Sequence, residues 1–270
     1  MAKKYTAATA DKYELYIKSV QNVEVEMDLV TGWFRELRGR EMRTLREDFC
    51  GAFAAAARFV ALAPGNRAWA VDLDPEVLEW GRRHVLPALR RARPGAEKDL
   101  AILQQNVLVP TRPLVDAVLA MNFSYFIFKE RAQLLRYFQA VHQTLARDGV
   151  FFLDCYGGTD AWKVCREKKK LDGFTYVWDQ AKVNPITSEV LNHIHFYFPD
   201  RTKMLRAFSY DWRLWTIPEI RELLAEAGFA DCGVYWEAWD YDSNSGTGEF
   251  YRSEEEENCL AWVAYLVARK

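Results

Sequence analysis

Short apolar runs alternate with amphipathic segments along the first 155 residues. Between the runs, apolar residues recur at helical spacing, as Leu134, Phe138 and Val141 do. The runs that predict strands begin at Thr44 and Arg67 and then cover Leu100–Val109, Asp116–Met121 and Val150–Cys155. Strands that alternate with helices predict an α/β fold with a doubly wound, mostly parallel sheet.

Two helices are predicted before the first strand. Asp11 is a favourable N-cap for a helix with Tyr13 and Tyr16 on one face, and a second helix ends near Gly39. We interpret residues 1–40 as an N-terminal helical cap. This cap either covers the sheet or roofs a pocket, with a tyrosine reaching in.

Residues 173–215 interrupt the alternation with aromatic and β-branched runs. About three strands are predicted here, in the segments Phe174–Trp178, Val190–Phe198 and Met204–Leu214. No helix separates them, so the strands are expected to be antiparallel. We interpret this segment as an antiparallel β insertion over the carboxyl edge of the sheet. It would act as a substrate lid within a single domain of residues 1–270.

The alternation returns near the end of the chain. Thr216 and Glu219 form a capping box at the start of a helix. Val234–Asp240 and Cys259–Ala268 predict the last two strands, and the polar stretch Asp242–Asn258 predicts a loop with a solvated run of four glutamates. Two strands joined without a helix should be antiparallel.

A glycine and two acids mark the ends of the first two strands. Glu47 ends the first strand, Gly51 turns the chain into an Ala-rich helix, and Asp72 ends the second strand about twenty residues later. A small-residue turn into a helix presents free backbone N–H groups to a ligand. An acid at the tip of the second strand can accept hydrogen bonds from a ribose. The pattern therefore predicts a nucleoside pocket.

The residues around Gly51 separate two classes of nucleoside ligand. Dinucleotide dehydrogenases use three glycines so that the backbone can approach a pyrophosphate closely. Here Phe49 and Phe53 stand where the flanking glycines would fall, which argues against a nicotinamide dehydrogenase. A cofactor without phosphate does not need that approach, which favours S-adenosylmethionine.

The order of these residues resembles the class I, Rossmann-like family of S-adenosylmethionine-dependent methyltransferases. The resemblance covers residues 40–155 and 216–270, and it depends on Cys50–Gly51, Val71–Pro75, Asn106 and Asp116–Asn122. It implies a seven-stranded sheet whose last strand is antiparallel, as the final strands here predict. The chain departs from the family at Phe49–Phe53, where members have a glycine-rich loop.

The resemblance implies how the nucleoside part of the cofactor is held. Asp72 would accept from the ribose hydroxyls, and Leu73 would pack on the adenine. Asn106 stands where the family has an acid that binds the adenine amine, and an amide oxygen can also accept from that amine. Val107 would follow on the ring face. Asn106 also has a local interpretation as a turn residue.

The resemblance places the methionine part at the ends of two other strands. Glu47 and Gly51 would lie beside it. Met121 and Asn122 would lie where the amino acid part meets the substrate. Asp74 is interpreted only as the cap of the helix that follows.

Methyl transfer from a sulfonium needs mainly in-line positioning and exclusion of water. A general base helps only where the nucleophile must lose a proton. We therefore expect neither a fixed catalytic triad nor a metal. Candidates for a base are His193 and His195, which alternate on one predicted strand, and Tyr125.

Aromatic residues are concentrated in the insertion and the last strands. Such residues either pack the insertion against the sheet or line a pocket, where they can hold a cationic amine. The candidates for contact with substrate are Tyr125, Tyr156, Trp178 and Trp212. Further aromatic residues of this region are Tyr210, Trp215, Trp236, Trp239 and Tyr241.

Charge and cysteine content narrow the choice of partner and compartment. The net charge of −2, with mixed signs, disfavours nucleic acid and anionic membrane surfaces. Five scattered cysteines and no apolar signal region predict reduced thiols and a cytoplasmic protein. The first hypothesis is thus methyl transfer to a small-molecule N or O nucleophile. The alternatives are a protein or RNA methyltransferase, or a non-catalytic protein that binds S-adenosylmethionine or S-adenosylhomocysteine; the oligomeric state is left open.

Overall fold

The computed structural model describes residues 5–240 and 245–270, which form six α-helices and twelve strands. The helices are α1 (Lys12–Val20), α2 (Val23–Arg38), α3 (Ala54–Leu62), α4 (Pro75–Ala92), α5 (Arg131–Thr144) and α6 (Ile217–Glu226). The strands are β1 (Thr44–Asp48), β2 (Arg67–Asp72), β3 (Leu100–Gln104), β4 (Val115–Ala120), β5 (Leu145–Gly157), β6 (Cys165–Leu171), β7 (Phe174–Asn184), β8 (Glu189–Tyr197), β9 (Lys203–Arg213), β10 (Asp231–Asp240), β11 (Ser245–Ser253) and β12 (Trp262–Arg269).

Eight of the strands form one sheet in the order β3-β2-β1-β4-β5-β12-β10-β11. The first five strands in this order, β3, β2, β1, β4 and β5, are parallel to one another. β12 is antiparallel to both β5 and β10. The predicted α/β fold with a mostly parallel sheet and an antiparallel last strand is therefore confirmed.

The main sheet has one strand more than predicted. Residues Ser245–Ser253, placed in a loop by the sequence, pair with β10 as the antiparallel edge strand β11. An edge strand needs only one partner, and its glycines and polar residues conceal it in the hydropathy pattern. The glutamates at 254–257 that follow it are exposed, as predicted.

The insertion is a second sheet of four antiparallel strands in the order β6-β7-β8-β9. It begins at Cys165, eight residues before the predicted boundary at 173, because β6 has no strand signal in its hydropathy pattern. Lys168, Lys169 and Lys170 in the middle of β6 are exposed. Charged residues protect an edge strand from further pairing, and they also remove its apolar alternation.

Helices cover both faces of the main sheet. On one face, α2 and α3 bury Met27, Phe34 and Phe59 completely. On the other face, α5 and α6 bury Phe138 and Leu223. A third, smaller core lies between α1 and the antiparallel sheet. The chain segments after β1, β2, β4 and β5 therefore gather at one edge of the main sheet, next to α1 and the insertion.

The predicted helix ends are confirmed. The Asp11 carboxylate accepts from two backbone N–H groups at the start of α1. Asp74 caps α4 in the same way, and Thr216 and Glu219 form the reciprocal capping box of α6. Gly39 ends α2 with a left-handed φ of 64°. Among the described residues, no helix has the length and apolarity that crossing a bilayer requires.

Candidate functional site

The loop between β1 and α3, residues 49–53, has three residues with left-handed backbone, and only one of them is a glycine. Phe49, Gly51 and Phe53 have φ angles of 53°, 50° and 53°. Left-handed backbone costs an L residue about 1–2 kcal/mol, so the two phenylalanines must be held by their surroundings. Phe53 is completely buried, and Phe49 packs 5.5 Å from the ring of Tyr137.

Asp72 ties this loop to the end of β2. Its Oδ2 accepts from the Gly51 N–H at 2.7 Å, and its Oδ1 accepts from the Asp74 N–H at 2.9 Å. The Asp72 carbonyl accepts from the Gln105 N–H at 2.9 Å. The segments after β1 and β2 therefore meet at the Asp72 carboxylate, and the segment after β3 meets the backbone carbonyl of the same residue.

Two features of this junction remain available to a ligand. A carboxylate offers about four acceptor positions, so Asp72 can accept further hydrogen bonds beside those from Gly51 and Asp74. The neighbouring Leu73 is 60% exposed. A carboxylate next to an exposed apolar side chain suits a ribose and the base attached to it.

The segment after β3 is held by the buried guanidinium of Arg46. Asn106 is exposed, and its Oδ1 accepts from the Leu108 N–H at 2.9 Å, as in an ordinary turn. Val107 lies inside the core at 5% exposure, which gives no support to its predicted contact with the adenine face. Its carbonyl accepts from Arg46, which is buried in β1 and paired with Asp48 at 2.5 Å. Arg46 was not identified from the sequence.

Glu47 is a buried acid whose protonation is shifted. Its Oε2 accepts from the Ala56 N–H at 2.7 Å and so caps α3. Burial and, to a smaller extent, the nearby carboxyls of Glu26, Asp72 and Asp48 together raise the pKa of Glu47 to about 8, against the lowering effect of the Ala56 hydrogen bond. Such a carboxyl becomes ionised when a cation approaches.

Asp154 on β5 holds the turn that follows β4. Its two oxygens accept from the Asn122 and Phe123 N–H groups, each at 2.8 Å. Both turn residues have left-handed φ angles, of 59° and 57°. Burial and, to a smaller extent, the charge of Glu26 raise the pKa of Asp154 to about 7, although the Asn122 and Phe123 hydrogen bonds lower it. Met121 is partly buried and packs against the core between the main sheet and helices α2 and α3.

Glu26 and Asp154 were not identified from the sequence. Burial raises the pKa of Glu26 as well, and Glu26 lies within electrostatic reach of both Glu47 and Asp154. An acid inside the otherwise apolar run Val150–Cys155 was the available signal for Asp154. The Glu26 signal is weaker, because one acid on a helix is usually solvated.

A cavity of about 1120 Å³ opens beside Asn122 and Phe123, and we call it the aromatic cavity. The antiparallel sheet and the far strands of the main sheet line it, and α1 contributes Tyr16 and Val20. Its aromatic lining is Tyr16, Phe123, Tyr156, Tyr176, Trp178, Tyr210, Trp212, Trp236, Trp239, Tyr251 and Trp262. The cavity therefore joins the turn after β4 to the insertion.

Three of the four predicted substrate residues line this cavity. They are Tyr156, Trp178 and Trp212. Tyr125 does not line it, because the side chain is completely buried and its hydroxyl donates to the Asp154 carbonyl at 2.7 Å. Tyr125 thus packs the core, which gives no support to its roles as base or substrate contact. Tyr241 lies outside the described residues, and Trp215 packs in the core.

The two histidines suggested as bases face away from the aromatic cavity. Neighbouring residues on a strand point to opposite faces, and Ile194 lines the cavity. His193 and His195 line a separate cavity on the other face of the antiparallel sheet. His195 Nδ1 accepts from the Arg206 N–H, so its Nε2 donates to Asp179. The structure therefore does not bring these histidines to the predicted site.

A buried amide without partners lies at the wall of the aromatic cavity. Asn192 is completely buried, and it pairs across the sheet with Gln180 and Tyr210, two residues of the cavity lining. Among the described residues, neither amide atom of Asn192 nor the Tyr156 hydroxyl has a hydrogen-bond partner, although the two groups are neighbours. Unpaired buried polar groups are uncommon and often mark functional positions.

Solved structures of methyltransferases share this fold. An S-adenosylmethionine-dependent methyltransferase from Clostridium acetobutylicum matches with a TM-score of 0.68 and 15% identity, over 95% of this chain and 96% of that one. CalS10, an amino pentose methyltransferase from Micromonospora echinaspora, matches with a TM-score of 0.62 and 16% identity. The match covers 100% of this chain and 99% of that one. The sugar N-methyltransferase KedS8 from Streptoalloteichus matches with a TM-score of 0.59 and 18% identity. The match covers 100% of this chain and 97% of that one.

No family model matches the chain, and no curated protein matches it. At these levels of identity, the solved structures establish the fold. The chain has the Rossmann-like fold of class I S-adenosylmethionine-dependent methyltransferases along nearly its whole length.

Proposed function

We propose that this protein binds S-adenosylmethionine and transfers its methyl group to a small-molecule N or O nucleophile. The observation that carries the proposal is the junction at Asp72. The Asp72 carboxylate accepts from the Gly51 and Asp74 N–H groups, and the Asp72 carbonyl accepts from the Gln105 N–H, next to the exposed Leu73. The aromatic cavity begins at Asn122, where the next strand of the sheet ends. A nucleoside site and an acceptor site are thus neighbours.

The buried acids support the choice of cofactor. S-adenosylmethionine carries a sulfonium and an ammonium, and Glu26, Glu47 and Asp154 form a cluster whose pKa values are raised. The sulfonium and ammonium groups of the bound cofactor would favour the ionised forms of these acids, which would compensate the two positive charges. Asp72 and Leu73 would hold the ribose and adenine, with Asn106 at the adenine amine. When bound, the cofactor supplies a methyl group on a good leaving group.

The chain itself contributes position and exclusion of water. In this proposal Asn122 orients the acceptor next to the methyl group. Tyr16 and Val20 of α1 close the cavity from one side, which gives residues 1–40 the role of a cap. The antiparallel sheet closes it from another side, as a substrate lid. In-line positioning within a dry site supplies most of the rate enhancement for such a transfer.

The cofactor site is tested by calorimetric titration with S-adenosylhomocysteine. We expect micromolar binding by the wild type and a loss of ten-fold or more in Asp72→Ala, since a charge-assisted hydrogen bond contributes about 1.5–3 kcal/mol. Asp74→Ala is the matched control. It removes the α4 cap, at a cost of about 1 kcal/mol in stability, and should leave the affinity unchanged. Absence of binding by the folded wild type would refute the proposal.

Turnover separates an enzyme from a non-catalytic binder. S-adenosylhomocysteine formation should be measured from S-adenosylmethionine with panels of small amines and alcohols, and then with protein and RNA. Product with the small molecules supports the proposal. Tight binding without turnover on any panel would favour a binding protein, and turnover on RNA or protein alone would replace the acceptor class.

A further inference from the structure

Two groups of aromatic rings in mutual contact line the aromatic cavity. On the antiparallel sheet, the rings of Tyr210 and Trp212 lie 4.5 Å apart, and Trp178 lies 6.2 Å from both. On the main sheet, the rings of Trp236 and Trp262 lie 5.0 Å apart. The face of an indole or phenol ring carries partial negative charge and attracts a cation. The cavity is therefore lined by several cation-binding surfaces.

The charged lining has one sign. Five carboxylates contribute to it, and no lysine, arginine or histidine does among the residues that the structure describes. The five acids are Asp160, Glu167, Glu237, Glu256 and Glu257. Asp160 is paired with Lys163 at 2.6 Å, whereas Glu256 and Glu257 have no ion pair within the described parts of the chain. A cleft with charges of one sign concentrates ligands of the opposite sign.

The rim and the size of the cavity indicate the rest of the ligand. Leu260, Trp239 and Val263 line the cavity and are 66%, 49% and 41% exposed. The volume of about 1120 Å³ slightly exceeds the roughly 300–1000 Å³ that small-molecule sites usually have. Both features suit a ligand with a bulky apolar body.

We propose that the methyl acceptor is a cationic amine with an apolar body, which the aromatic cavity binds and which is methylated on nitrogen. This inference rests on the proposed function for its transfer step. Its binding step stands on the cavity alone.

The charge that moves during transfer favours nitrogen over oxygen. The ammonium first loses a proton to water or to a rim carboxylate. The nitrogen lone pair then forms the new N–C bond, and the C–S bond breaks with its electron pair going to sulfur. Positive charge thus moves from sulfur to nitrogen, where the rings and carboxylates stabilise it. An oxygen acceptor activated as an alkoxide or phenolate would instead be repelled by five carboxylates.

The binding step is tested with a cation that cannot be methylated. Benzyltrimethylammonium and its uncharged carbon analogue, neopentylbenzene, have nearly the same shape. By calorimetry on the full chain without cofactor, we expect the cation to bind about ten-fold tighter than the neutral analogue. Its affinity should fall when the salt concentration rises, because salt screens the rim carboxylates.

Two double variants with equal net charge isolate the lining acids. Glu256→Gln with Glu257→Gln should weaken cation binding about three-fold or more and leave the neutral analogue unchanged. Glu249→Gln with Glu255→Gln removes two exposed acids that do not line the cavity and should change neither. Trp178→Leu should lower the preference for the cation, and its circular dichroism should stay that of the wild type.

The outcomes separate this inference from the proposed function. Equal binding of the two analogues, or equal effects of the two double variants, would overturn the amine assignment, even where S-adenosylhomocysteine binds. Cation binding by a protein that fails to bind S-adenosylhomocysteine would keep the cationic site and refute the methyl transfer. Methylation of alcohols alone would also overturn the assignment.

Discussion

The ring of Phe53 fills the space that Gly81 leaves open on α4. A β-carbon at position 81 would lie 2.4 Å from the Phe53 ring and 2.7 Å from the Ala52 carbonyl oxygen. Because Phe53 is completely buried and has a left-handed backbone, this contact holds the end of the 49–53 loop. Gly81, two turns into α4, thus leaves room for Phe53, whose left-handed backbone is typical of glycine.

Gly81→Ala should therefore destabilise the protein. Overpacking costs about 1–3 kcal/mol, and the gain in helix propensity of about 1 kcal/mol offsets part of it. We also expect weaker binding of S-adenosylhomocysteine, since the loop must shift. Denaturant unfolding and calorimetry measure the two effects. Gly32→Ala on α2 is the control: nothing lies within 4 Å of a β-carbon there, so it should be neutral or stabilising. Equal effects of the two variants would contradict the role of Gly81.

The pH dependence of stability should carry the signature of Glu47 and Asp154. Their pKa values are about 8 and 7 in the fold and return to ordinary values near 4 on unfolding. Between about pH 5 and 7 the unfolded chain has lost these protons and the folded chain retains them. The free energy of unfolding should then fall with rising pH, by up to about 1.4 kcal/mol per pH unit for each group.

Cofactor binding should reverse part of this effect. A cationic ligand near Glu47, Asp154 and Glu26 favours the ionised carboxyls, so S-adenosylmethionine binding at pH 7 should release protons. Calorimetry in buffers of different ionisation enthalpy measures the number released. Glu47→Gln should reduce that number and flatten the pH profile of the ligand-free protein. Binding without proton release would show that these acids do not sense the cofactor.

Asn192→Leu should stabilise the protein by about 1 kcal/mol. The variant removes a buried amide that has no hydrogen-bond partner among the described residues, and leucine has a similar size. Asn66→Leu is the opposite case, since its Nδ2 donates to the Phe59 carbonyl at 3.0 Å, and it should destabilise. Thermal unfolding compares the two. If Asn192 contacts the acceptor, its variant should also raise KM, and a destabilised Asn192→Leu would contradict the unpaired state.

Arg46→Met should be among the most damaging substitutions. Arg46 is 1% exposed and binds Asp48 together with the carbonyls of Val107 and Val109. Removing one partner of a buried ion pair costs about 3–5 kcal/mol, because the remaining charge is unpaired. Arg67→Met, on the neighbouring strand and exposed, should cost less than about 1 kcal/mol. Similar urea midpoints for the two variants would refute this.

The main sheet and the junction at Asp72 were predictable from local signals. The ends of β1 and β2 are marked by Glu47, Gly51 and Asp72, and parallel strands bring such ends to one edge. The side of the insertion that faces the sheet was not predictable. A shift of one residue moves His193 and His195 to the other face, and the sequence does not specify how the two sheets pack.

The remaining errors have a common physical cause. Strands β6 and β11 are edge strands rich in polar residues or glycine, so pairing rather than apolar alternation defines them. The roles of Asp154 and Arg46 depend on residues distant in sequence, such as Asn122 and Val107. Hydropathy patterns describe burial along the chain, whereas these contacts are set by tertiary structure.

The left-handed phenylalanines of the 49–53 loop also have a consequence for the order of folding. A glycine turn adopts its shape early, because the unfolded chain already samples it. A phenylalanine rarely samples that conformation, so the turn is stable only after its ring has found its partner. The Phe53 ring packs against Gly81 on α4, and the Phe49 ring packs against Tyr137 on α5. The 49–53 loop is therefore expected to reach its final shape late, after helices from both faces of the sheet have docked.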